Sequence, residues 1–154
     1  MKNFIRNLML IVFLGTFVLT AVQAQTVVQI GNGTSTTYRN PLNMYYCYSW
    51  NRMLYLSSEI GNAASQKKIT KIAFQYAYAT STNMTNQTCY MQATSATSLT
   101  TGYINPTANG ATQVWTGTLS CVQGWVEITL STPFILPAGS NLQIFWHQIG
   151  RAHV

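Results

Sequence analysis

The 154-residue chain has no aspartate, and its only carboxylate side chains are Glu59 and Glu127. That scarcity excludes several chemistries. Glycosidases of the common kind set two carboxylates across the scissile bond. Here Glu59 falls in a turn-like stretch and Glu127 alternates out of phase with Val126, Ile128 and Leu130, so nothing local brings the pair together. A Ser-His-Asp site lacks its Asp, and no serine stands in a G-x-S-x-G elbow. Calcium wants several carboxylate or carbonyl oxygens, and the three cysteines show none of the close spacings of a zinc site. No metal, no cofactor and no catalytic residue is therefore expected. Gly31-Asn32-Gly33 lacks the further glycine, lysine and helix of a phosphate loop. Beyond Leu19 there is no apolar run long enough to span a membrane and none at helical period.

Charge of either sign is scarce, at 6% of residues. Lys2 and Arg6 precede an apolar run from Leu8 to about Leu19 that closes in Ala21-Val22-Gln23-Ala24. This is the pattern of a cleaved secretory signal over 1–24, with a mature chain beginning at Gln25 and secreted or held at the outer cell surface. Of the remaining cations, Lys67, Lys68 and Lys71 gather at a strand entrance, where lysines usually protect an edge. No basic field suited to nucleic acid remains. The terminal Gln148 to Val154, QIGRAHV, matches the translation of a sequencing adapter. The domain is accordingly expected over 25–147, incomplete at its C-terminal side, with 148–154 not native. For Cys47, Cys89 and Cys121, an odd number in an exported chain leaves open one pair with a leftover, a partner elsewhere, or buried thiols. Cys89 alternates in phase with Met91 and Ala93, as a core residue would.

What the chain has in quantity is β-pattern. In TQVWTGTLSCVQGWVEITLSTPFIL, residues 112–136, Val114, Thr116 and Thr118 alternate with Trp115, Gly117 and Leu119. After Ser120 to Gly124, Val126, Ile128 and Leu130 alternate with Glu127, Thr129 and Ser131. Period two with a short glycine-bearing connection predicts an antiparallel hairpin. Upstream, 25–30 (QTVVQI) reads as an opening strand, 69–79 as a strand with Ile72, Phe74, Tyr76 and Tyr78 on one face, and 87–94 as another. Residues 80–86 read as a polar turn, 95–111 as a long loop, and 141–146 as the start of a last strand. The fold expected is an all-β antiparallel sandwich. Residues 43–56 are dense in aromatic rings, which either fill a core and its rim or form an exposed platform. The platform candidates are Tyr45, Tyr46, Tyr48, Trp50 and Trp115.

The succession IGNGTSTTYRNPLNMYYCYSWNRMLYLSSEIG, KKITKIAFQYA, YMQATSATSL, VWTGT with GWVEITLSTPF, and SNLQIFW resembles a β-sandwich module of large exported proteins of Bacteroidetes-type bacteria. The resemblance covers about Ile30 to Trp146. It implies a jelly-roll-like, adhesin-like module of a type IX secretion cargo, non-catalytic, with further domains in the same chain. On that reading the module serves adhesion, ligand binding or spacing, with a glycan or a cell-surface protein as partner. The alternative is a carbohydrate-binding accessory domain of an exported hydrolase.

Overall fold

The structure is a computed structural model that describes residues 25–33, 37, 39–46 and 48–150. The expected signal segment 1–24, Cys47 and the terminal 151–154 lie outside the described residues. Six strands form among the described residues: β1 (Tyr48–Tyr55), β2 (Lys67–Tyr76), β3 (Thr82–Thr94), β4 (Thr112–Cys121), β5 (Gly124–Leu136) and β6 (Asn141–Ile149). A short helix, α1 (Ser57–Ile60), follows β1. Every pairing is antiparallel. Strands β1, β6, β3 and β4 make a four-stranded sheet in that order, and β2 and β5 make a second sheet of two. The expected antiparallel β-sandwich is what the chain forms. A jelly roll has eight strands in two Greek keys; the described residues supply six, four facing two.

Each strand turns one row of side chains inward, as its pleat dictates. β5 buries Val126, Ile128, Leu130 and Leu136 and leaves Trp125, Glu127 and Thr129 in solvent. β2 adds Ile72, Phe74 and Tyr76, and β6 adds Leu142, Ile144 and Trp146. Trp146, fully buried, joins the two sheets. Its ring stacks on Trp115 of β4 at 5.8 Å and meets Phe74 of β2 edge-on at 5.7 Å between centroids. Its Nε1 donates to Gln87 Oε1 over 2.8 Å.

Gln87 reaches that position through a β-bulge. The register between β3 and β4 passes from Met84 opposite Leu119 to Gln87 opposite Gly117, one extra residue on β3. Asn86 takes φ +54°, a left-handed conformation that asparagine tolerates better than most residues. Met84, Gln87, Cys89 and Met91 then all bury, and the Gln87 amide donates back to Thr85 O at 2.9 Å. The bulge also corrects the reading of 80–86 as a turn. Strand β3 begins at Thr82, and the extra residue breaks the alternation by which it would have been recognised.

Two further expectations are corrected. The hairpin predicted at 112–136 does not form, since β4 pairs with β3 and β5 pairs with β2. Ser120 to Gly124 carries the chain from one sheet to the other, so the two apolar rows face each other across the core instead of lying side by side. Residues 25–30 form no strand and are exposed throughout; Gln25 Nε2 donates to Thr70 Oγ1 at 3.0 Å, but no ladder follows. Strand β6 runs on through His147 to Ile149. Gln148 lies in phase with Leu142, Ile144 and Trp146 and is buried, accepting from Ser49 Oγ at 3.4 Å and donating to Tyr46 O at 3.1 Å.

Cys89 and Cys121 are free and buried. Burial pushes the Cys89 thiol up to about 12 and the Cys121 thiol up to about 11, which keeps both protonated and chemically quiet. In the native protein, iodoacetamide should leave both unlabelled in peptide maps, and urea should expose both. The Trp146–Gln87 bond is tested by a double-mutant cycle in urea unfolding. Gln87→Met, close in volume, should cost about 1–3 kcal/mol by stranding the indole N–H. Trp146→Phe should cost a similar amount or more, and the double variant less than the two together.

Candidate functional site

Residues directly opposite one another on neighbouring strands share a face of the sheet. Tracing the register from the core outward therefore assigns the other face of the four-stranded sheet. On β1 it carries Tyr48, Trp50, Arg52 and Leu54; on β6, Gln143, Phe145, His147 and Ile149; on β3, Thr88, Tyr90 and Gln92. Trp50 lies opposite His147, which lies opposite Thr88 in turn.

Part of this face is covered. Phe145 points outward yet is only 1% exposed, and the loop of residues 95–111 lies over it. Three polar ties hold the loop down. Asn141 Nδ2 donates to Ala96 O at 2.9 Å. Arg52 Nη2 donates to the carbonyls of Thr100 and Gly102. Gln92 Nε2 donates to Asn109 O at 2.6 Å while Asn109 Nδ2 donates back to Gln92 Oε1 at 2.9 Å. Within the loop, Asn105 Oδ1 accepts from Ala108 N and Pro106 is buried. The long polar stretch is thus an ordered cover, as compact surface loops with close ends often are.

At the margin of the cover the rings gather. Tyr103 of the loop meets Trp50 edge-on at 5.3 Å and His147 at 6.1 Å between centroids. Tyr90 meets His147 at 5.5 Å. Trp50 and Tyr103 remain 41% and 56% exposed, and Tyr48, one pleat further along β1, 71%. The result is a shelf, with Tyr48, Trp50, His147 and Thr88 as its floor and Tyr103 standing beside it as a wall. The hydroxyls of Thr88 and Thr116 lie 3.1 Å apart at the far side of the floor. Burial among these rings lowers the His147 pKa from its ordinary value of 6.5.

The five residues singled out from sequence do not form one strip. Tyr48 and Trp50 share the outer face. Tyr45 and Tyr46 are exposed on the turn before β1, held by the Asn43 Oδ1 that accepts both of their backbone N–H groups at 2.9 Å, and their rings pack edge-on at 4.9 Å. Trp115 lies opposite Cys89 on the core face and stacks on Trp146, so it belongs to the core. Tyr103, Tyr90 and His147 were missed. Tyr103 stood in a loop without periodicity, and only the register brings the other two beside Trp50.

Each glutamate has a structural partner. Glu59 Oε2 accepts from the Leu56 N–H at 2.7 Å, capping α1, and Glu127 pairs with Lys71 at 3.4 Å. No group of three or more His, Cys, Asp or Glu side chains able to hold a metal ion occurs among the described residues, and no helix among them is long and apolar enough to cross a membrane. The shelf can therefore offer stacking surfaces, neutral hydrogen-bonding groups and one imidazole. Comparison with family models, curated proteins and solved structures finds no match to this chain.

A lowered histidine pKa makes stability depend on pH in a defined direction. The folded protein resists protonation of His147 and the unfolded chain does not, so the contribution is present above about pH 6.5 and is lost as pH falls through the lower folded value. The chain holds only one other histidine, His153, so few other groups titrate in that window. The urea midpoint should therefore drop as pH is lowered from 7 through 6, and His147→Gln should flatten that drop. An unchanged profile in the variant would assign the dependence to another group.

Proposed function

We propose that this chain is a non-catalytic module of an exported protein, one that attaches to a ligand or surface partner through the outer face of its four-stranded sheet. The N-terminal pattern of Lys2, Arg6, the apolar run and Ala21 to Ala24 supports export. One observation carries the binding role: Tyr48 and Trp50 on a rigid sheet face and Tyr103 on the clamped loop beside them stand exposed together. Large rings displayed side by side in this way mark interaction surfaces, whereas single exposed apolar residues are ordinary. The engagement of both glutamates in capping and in an ion pair argues against acid–base chemistry as the primary role. A pure spacer would have no use for the displayed rings.

Beads coated with the protein should adhere to bacterial or host-cell surfaces or to their isolated matrix. A Trp50→Ser/Tyr103→Ser variant with an unchanged urea midpoint should lose most of that adhesion. Equal adhesion by the variant would move the binding surface elsewhere, and no adhesion by the unaltered protein would leave spacing as the role.

A further inference from the structure

From the chemistry of the shelf we infer that its ligand is a neutral saccharide, stacked on Trp50 and Tyr103 and hydrogen-bonded from their polar tips and from His147. The inference rests on the binding role proposed above and names the class of ligand.

The ring faces come first. Pyranose C–H groups carry slight positive charge and settle on the negative face of an aromatic ring. Trp50 and Tyr103 supply two such rings at 74° to one another, 5.3 Å between centroids, so that a sugar lying on one is flanked by the other. Both are partly exposed, and Tyr48 extends the floor along β1 in the direction a second sugar unit would take.

Polar groups come next. Trp50 Nε1, the Tyr48 and Tyr103 hydroxyls and both ring nitrogens of His147 have no hydrogen-bond partner among the described residues. A neutral imidazole presents one donor and one acceptor, and a phenol presents both, which matches the mixed character of sugar hydroxyls. The Thr88–Thr116 hydroxyl pair adds a further acceptor on the floor.

Charge then discriminates between saccharides and other partners. The register places a single charged side chain on this face, Arg52, and its guanidinium is committed to the carbonyls of Thr100 and Gly102. A uronate, sulfate or phosphate would meet no available cation, and a nucleic-acid strand would find stacking without neutralisation of its backbone. An apolar peptide would want an aliphatic groove, whereas the shelf sets Ile149, exposed opposite Tyr48, as an isolated aliphatic side chain among ring faces and polar tips. The geometry is also preorganised: the floor is sheet, and the wall is tied down by Arg52 and by the Gln92–Asn109 amide pair. Little ordering is then lost on binding.

Native affinity electrophoresis tests this directly, with the full chain run in gels containing hydroxyethylcellulose, xylan, mannan or, as the anionic comparison, alginate. At least one neutral polysaccharide should retard the protein, and alginate should not. Trp50→Ala and Tyr103→Ala should each weaken retardation about tenfold or more, while Trp50→Tyr, which keeps a ring, should retain part of it. Tyr45→Ala, off the shelf, should behave as the unaltered protein does. Urea midpoints separate lost binding from lost folding. Retardation undiminished in both alanine variants would overturn the assignment of the shelf, and retardation by alginate alone would overturn the neutral class. Failure of all four polymers with adhesion intact would remove the saccharide and leave the binding role standing; failure of both would remove the two together.

Discussion

The hydrogen bond from Trp146 to Gln87 is the constraint on which the sandwich depends. An indole in the middle of a core must find an acceptor for its N–H, or the fold bears the desolvation cost of a stranded donor. The acceptor here is a glutamine on the neighbouring strand, and a one-residue bulge with Asn86 in the left-handed region is what turns that glutamine inward. Register follows. Sliding β6 by one residue would send Trp146 to the outer face and bring Phe145 and His147 into the core, and every partner on β1 and β3 would be wrong. The bond that completes the core therefore also decides that His147, and with it Trp50 and Tyr90, points outward.

Poverty of charge shapes the rest. Surfaces that other proteins fasten with ion pairs are fastened here with amides: Asn43 under Tyr45 and Tyr46, Asn62 to Pro137 and Ser140, Asn141 to Ala96, Gln92 to Asn109, Gln148 between Ser49 and Tyr46. Neutral bonds of this kind are indifferent to ionic strength, unlike exposed charge pairs. The loop over Phe145 is held by such amides together with a single guanidinium, that of Arg52. Recognition at such a surface is left to shape, stacking and short-range hydrogen bonds.

Alternation in the sequence was enough to find most strands and most inward rows. Val126, Ile128 and Leu130, or Cys89 and Met91, are where period two puts them. Two kinds of information were hidden. Period two is the same whether neighbouring strands lie in one sheet or face each other across a core, so β4 and β5 read as a hairpin. A bulge, too, erases alternation where it matters most, so the start of β3 read as a turn. The site suffered from the same gap. Trp50 and Trp115 look alike in composition, but strand pairing puts one on the open face and the other against Trp146. Tyr103, Tyr90 and His147 are separated along the chain and meet only because β6 lies between β1 and β3.

The two sheets treat their edges differently. Strands β1 and β2 both present an edge, and an exposed edge invites pairing with other chains unless it is blunted. β2 carries Lys67, Lys68 and Lys71, with Lys71 paired to Glu127, a solvated solution to that problem. β1 carries Tyr48 and Trp50 instead, residues that hydrate poorly and would favour unwanted association. Stability gives no reason for the contrast, because the core residues of β1, Met53 and Tyr55, lie on its other side and are served equally well by polar residues outside. Retaining rings at the β1 edge while lysines guard β2 is a liability unless those rings meet something, and the loop that brings Tyr103 beside them lies on the same face.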